Sequence, residues 1–154
     1  MTTVAQPVTG QDINLAARAT RKALEVLLAE QGFSFQPLAI LNTIATRGTA
    51  LDRDALVGVL ANAFDVDVST VLTVVHGLET RGLVREIRVD ADSKPRLELT
   101  ADGVAEHQRL NAVVGTLTTQ LYRDLDPADL ATTRQVLVTL TQRAEEHIAN
   151  TLRG

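Results

Sequence analysis

Apolar residues recur at three- and four-residue spacing along most of the chain and give way to a strand-like stretch only around residues 83–99. The clearest helical run is Val71, Val74, Val75 and Leu78. It is opened by the capping-type cluster Asp67-Val68-Ser69-Thr70 and stopped by Arg81-Gly82, a basic residue followed by glycine. Two strand-like pieces follow, Leu83–Val89 and Arg96–Leu99, split by the polar turn Asp90-Ala91-Asp92-Ser93-Lys94-Pro95. A helix, a glycine stop and a hairpin in that order predict a recognition helix running into a β-wing.

The rest of the pattern is helical. Asp12 is placed to cap a first helix to about Gln31, with Ile13, Ala17, Leu24, Leu27 and Leu28 on one face. Pro37 opens a second helix that Gly48 ends after Arg47. Leu51 suits a short strand, and Asp52 caps a third helix carrying Leu56, Val59, Leu60 and Phe64 inward. Thr100 caps a long helix from Ala101 to about Asp124, with Leu110, Val114, Leu117 and Leu121 on its stripe. Asp126-Pro127 restarts the chain as a last helix whose inner side holds Leu130, Leu137, Leu140, Ala144 and Ile148. The fold class expected is mainly α with a small β-wing: a winged helix-turn-helix flanked by N- and C-terminal helices. The terminal helices carry more apolar stripe than a small winged lobe covers, and a second copy of the chain is the simplest cover.

Composition narrows the function. The chain has 154 residues, 45% hydrophobic and 22% charged, which suits one ordinary globular domain. Without cysteine it has no disulfide and no thiolate site. No apolar run approaches the about 18 residues that span a membrane, and Met1–Gly10 lacks the pattern of a secretion signal. A cytoplasmic location is expected. No glycine-rich phosphate loop, Gly-x-Ser-x-Gly or cysteine nucleophile is present, so an enzyme is not expected and no cofactor is called for. The net charge of −4 opposes binding to phosphate, so any DNA contact needs a local patch. Between Arg81 and Arg96 five basic residues meet three acidic ones, a net of +2.

These segments together resemble the MarR family of bacterial winged-helix transcriptional regulators, from about Asp12 to Leu152. The residues that carry the resemblance are Asp67-Val68-Ser69-Thr70-Val71, then Leu78-Glu79-Thr80-Arg81-Gly82-Leu83-Val84. The wing return Leu97-Glu98-Leu99-Thr100-Ala101-Asp102-Gly103 is similar to the family's strand-to-helix junction, L-x-L-T-x-x-G. The resemblance implies one domain over 1–154, with dimerisation helices at 12–36 and 101–152 around a winged lobe at 37–100. It further implies a homodimer on a pseudo-palindromic double-stranded operator, usually a repressor released by a small phenolic or lipophilic effector. Two recognition helices would enter major grooves about 34 Å apart, with wings at the minor grooves.

Departures from the family pattern are visible. Where members often carry Asp-x-Arg in the wing, this chain has Asp92-Ser93-Lys94, in a turn one residue shorter. The segment Leu60–Val68 is about one turn longer than usual, and Asp65 falls near the usual turn glycine, a place where aspartate tolerates a left-handed backbone. Asp67–Glu79 contains no Lys or Arg, so base readout would rest on Ser69, Thr70, Thr73 and His76.

Each candidate has a plain structural alternative. Ser69 and Thr70 suit DNA contact or helix capping, and Arg53 suits a phosphate or a pair with Asp52 or Asp54. Arg88, Lys94 and Arg96 sit on or beside the wing, whereas Arg81 and Arg85 are expected to pair with Glu79 and Glu86. For an effector, Phe33, Phe35 and Tyr122 supply aromatic surface and Arg18 or Arg21 a cation; a core role competes for both phenylalanines. His107 and His147 lack carboxylates at metal-binding spacing. Two other classes stay open: a protein-interaction module that keeps the fold without operator binding, and a ligand sensor with weak DNA affinity.

Overall fold

The computed structural model describes residues 6–48 and 50–153, so the N-terminal reading of Met1–Ala5 lies outside the described residues. Helix α1 spans Gly10–Glu30. Its cap is Thr9 rather than Asp12: Asp12 is the third helical residue and returns a carboxylate bond to the Thr9 backbone N–H at 2.8 Å. That reciprocal box satisfies two of the four N–H groups a helix start leaves open. Helix α2 spans Phe35–Arg47, with Ser34 as its cap. Pro37 sits two residues inside the start, still in the first turn, where a missing N–H costs nothing.

Strand β1 is Leu51–Asp52, and Asp52 also accepts the Ala55 N–H at 2.8 Å to cap α3, Arg53–Phe64. Asp65 ends α3 in the left-handed region with φ of 54°, as its sequence position suggested. Helix α4 follows as Val68–Thr80. Leu56 and Leu60 of α3 are buried, but Val59 is 63% exposed, opposite to the inward side expected of it. An α3 of 12 residues packs a narrower stripe than its apolar composition offers.

The end of α4 is set by Gly82 at φ of 72°. Leu83 N–H bonds the Leu78 carbonyl at 3.0 Å and Gly82 N–H the Glu79 carbonyl at 2.9 Å, the two bonds of a Schellman stop. Strands β2 (Val84–Ile87) and β3 (Arg96–Leu99) make the hairpin, with β2 shorter at both ends than the pattern implied. The antiparallel sheet has the order β1-β3-β2, with Leu51 opposite Leu97 and Arg85 opposite Glu98.

Helix α5 spans Ala101–Leu121 and α6 spans Pro127–Arg153. Asp124, at φ of 62°, keeps α5 from reaching the end expected of it, because a left-handed residue cannot continue the helix. Asp126 accepts the Ala128 N–H at 2.7 Å and restarts the chain. Contacts group the chain into two units, Met1–Leu117 and Thr118–Gly154.

The first unit holds the core: Leu28, Ile40, Leu41, Val57, Val71, Leu78, Val84, Leu97 and Leu110 are essentially inaccessible. Each such side chain contributes on the order of 1.5–3 kcal/mol by leaving water. In the second unit no residue of α6 is buried. Among the described residues no single helix is long and apolar enough to cross a membrane.

Candidate nucleic-acid interface

Helices α3 and α4 meet at 116° across the turn Asp65-Val66-Asp67, the angle of a helix-turn-helix. Val71, Val75 and Leu78 turn α4 toward the core. The opposite side, through Ser69, Thr73, His76 and Thr80, is exposed. Asp67 is the N-cap, though its carboxylate makes no capping bond. Ser69 and Thr70 lie inside the first turn and are not the cap. Thr73 Oγ1 donates to the Ser69 carbonyl at 2.9 Å, and Thr80 Oγ1 to the His76 carbonyl at 3.0 Å. His76 Nδ1 lies 3.8 Å from a Glu79 oxygen.

The cations around the hairpin are held mostly by the protein itself. Arg53 bonds Asp54 at 3.0 Å and Glu86 at 2.8 Å, and the Asp54 bond is the main cause of its raised pKa. Glu86 also takes Arg88 at 3.1 Å. Arg85 pairs with Glu98, its partner across the sheet, rather than with Glu86. Side chains alternate faces along a strand, so residue 86 is the wrong neighbour for residue 85. Arg81 lies over the Phe33 ring at 4.1 Å and reaches the Gly32 carbonyl at 3.4 Å, not Glu79. Arg96 donates through Nε and Nη2 to the Ala50 carbonyl at 3.0 and 2.5 Å.

Lys94 is different: its side chain is 84% exposed, and its nearest carboxylate, Asp52, is 3.9 Å away. The hairpin tip is closed by Ser93, whose hydroxyl accepts the Val89 and Asp90 N–H groups at 3.0 and 3.1 Å. Where the wing joins α5, Thr100 Oγ1 donates to the Gly82 carbonyl at 2.6 Å and accepts the Gly103 N–H at 3.0 Å. Gly103 is there for space. A Cβ on it would stand 1.9 Å from the Leu83 carbonyl oxygen.

No family model matches the chain, and no curated protein matches it by sequence. Solved structures match most of its length. The transcriptional regulator PA3341 aligns with a TM-score of 0.75 at 23% identity, covering 89% of this chain and 98% of the other. A MarR mutant from E. coli complexed with operator DNA aligns at 0.67 and 18% identity, over 85% and 91%. CouR from Rhodococcus jostii RHA1, bound to p-coumaroyl-CoA, aligns at 0.67 and 16% identity, over 83% and 87%.

The chain has the MarR winged-helix fold. Within the MarR fold α3 and α4 form the helix-turn-helix and β2–β3 the wing.

The candidates for an effector are dispersed. Arg18 lies on an open groove along α1 with Leu15, Arg21 and Lys22. Arg21 itself stacks on Phe35 at 3.6 Å, and Phe35 meets Phe64 edge-on with centroids 5.9 Å apart. Phe33 is a core residue, 6% exposed beneath Arg81. Tyr122, 49% exposed, belongs to the second unit.

A cleft of about 610 Å³ opens instead between α2, β3 and α5, lined by Ile44, Ala45, Leu99, Val104, His107 and Asn111 among others. Its only sequence signal was the isolated His107. His107 Nε2 lies 2.7 Å from Asn42 Oδ1 and 3.0 Å from Asn111 Nδ2. One ring nitrogen serves one asparagine at a time, as donor to the first or acceptor from the second. Burial holds the His107 pKa below its ordinary value.

Proposed function

We propose that the chain is a homodimeric DNA-binding transcriptional regulator of the MarR family, a repressor released by a small lipophilic or phenolic ligand and not an enzyme. The observation that carries the DNA reading is α4, sealed against the core on one side and open along Ser69, Thr73 and His76 on the other. Lys94 adds an exposed cation near the N-terminus of α3. Arg53, Thr70, Arg88 and Arg96 complete the proposed contact set, with Arg53, Arg88 and Arg96 available once they exchange a protein partner for phosphate. The operator complex of the MarR mutant supports this reading.

The dimer reading rests on apolar surface. Leu137, Leu140 and Ile148 on α6 are 42%, 41% and 56% exposed, and Leu15 and Val26 on α1 are 53% each. A second copy covering these stripes removes them from water. The effector reading draws on CouR, which binds p-coumaroyl-CoA, and on the mixed apolar and amide lining of the cleft at His107. Arg18, Phe33, Phe35 and Tyr122 remain the sequence-derived alternative.

The test is a salt-dependent titration of the chain on the DNA flanking its own gene, with Lys94→Ala beside the wild type. Removing one phosphate contact per protomer lowers the log–log salt slope of a dimer by about two. The rival reading, a protein-interaction module on the same fold, is favoured by the internal pairing of Arg53, Arg85 and Arg88. It predicts no binding at low salt, or a slope that Lys94→Ala leaves unchanged.

A further inference from the structure

The outward face of α4 is written in hydroxyl residues, yet two of its hydroxyl protons are committed to the helix. Thr73 and Thr80 both donate to the carbonyl four residues earlier, at 2.9 and 3.0 Å. What Thr73 presents outward is therefore a methyl group and an oxygen able only to accept. Leu72 beside it is 37% exposed. Gly77 keeps the face low, with nothing within 4 Å of where its Cβ would be.

This chemistry selects among base pairs. Guanine is read by a two-pronged donor to O6 and N7, and no Lys or Arg lies between Asp67 and Glu79 to supply one. Cytosine offers an amine and no methyl. Thymine presents a 5-methyl group in the major groove, and its adenine partner presents an N6 donor to an accepting oxygen.

We propose that Thr73 determines specificity by packing its methyl group on a thymine 5-methyl, so that the operator carries an A·T pair opposite the middle of α4. This rests on the DNA-binding reading above.

The experiment begins by selecting duplexes from a random DNA pool with the full chain. Each thymine of the recovered duplex is then replaced in turn by deoxyuridine, which lacks only the methyl. At one thymine per half-site the wild type binds the thymine form about four-fold tighter, the worth of one buried methyl. Thr73→Ser, which keeps the hydroxyl and loses the methyl, brings that ratio to about one. Thr73→Val, which keeps a methyl and loses the hydroxyl, retains the ratio whichever way its overall affinity moves.

A ratio near one at every thymine overturns the proposal and leaves DNA binding standing. So does a ratio that Thr73→Ser does not change. A pool that shows no enrichment with folded protein overturns both readings.

Discussion

Gly103 shows how much can hang on one missing atom. The glycine of the wing-return pattern sits against the Leu83 carbonyl, which at the same time accepts the Thr100 N–H at 3.0 Å. Gly103→Ala pushes a methyl into backbone that is already hydrogen-bonded, and a loss of about 3 kcal/mol or more is expected in urea melts. His107 gives a second single-residue prediction. Burial lowers its pKa from the ordinary 6.5, so in acid the unfolded chain takes up this proton before the folded one does. Stability is full above the unfolded value and falls as pH drops from there through the lowered native value. Thermal melts at about pH 7.5 and about pH 5 should show a smaller acid loss for His107→Gln than for wild type. At this scale three helix starts were legible: Asp52, Thr100 and Asp126 cap the helices their positions implied. Thr9 was missed because Asp12 looks equally like a cap, and only backbone geometry decides which of the two stands outside the helix. The bond from Thr73 Oγ1 to the Ser69 carbonyl was not legible either, because it depends on a rotamer that the sequence does not show.

The elements around the wing are tied through Glu86, which holds Arg53 from α3 and Arg88 beyond β2. Glu86→Gln removes one negative charge and weakens both arginine bonds. If the face meets DNA, low-salt affinity rises, because Arg53 and Arg88 no longer give up a charged partner to reach phosphate, while the salt slope stays near that of the wild type. Fluorescence anisotropy on one duplex measures both, and an affinity that does not rise would remove Arg53 and Arg88 from the contact set. The order of elements could be read from periodicity and stops, because α4, Gly82 and the hairpin follow each other directly. The ion pairs could not. Strand register, rather than sequence adjacency, gives Arg85 to Glu98, and the approach of β1 gives Arg96 to the Ala50 carbonyl.

For the whole molecule, an apolar excess on the terminal helices was legible from the pattern alone. On α6 the side chains of Leu137, Leu140 and Ile148 are exposed. The position of the cleft at His107 was not legible, because residues from α2, β3 and α5 become neighbours only in the folded unit. A homodimer that places two α4 helices in successive major grooves leaves a footprint that hydroxyl radicals can read on the selected duplex. Two protected segments are expected on each strand, about one helical turn apart and related by a dyad. A single unsymmetrical segment, or no protection by folded protein at low salt, would contradict such a homodimer.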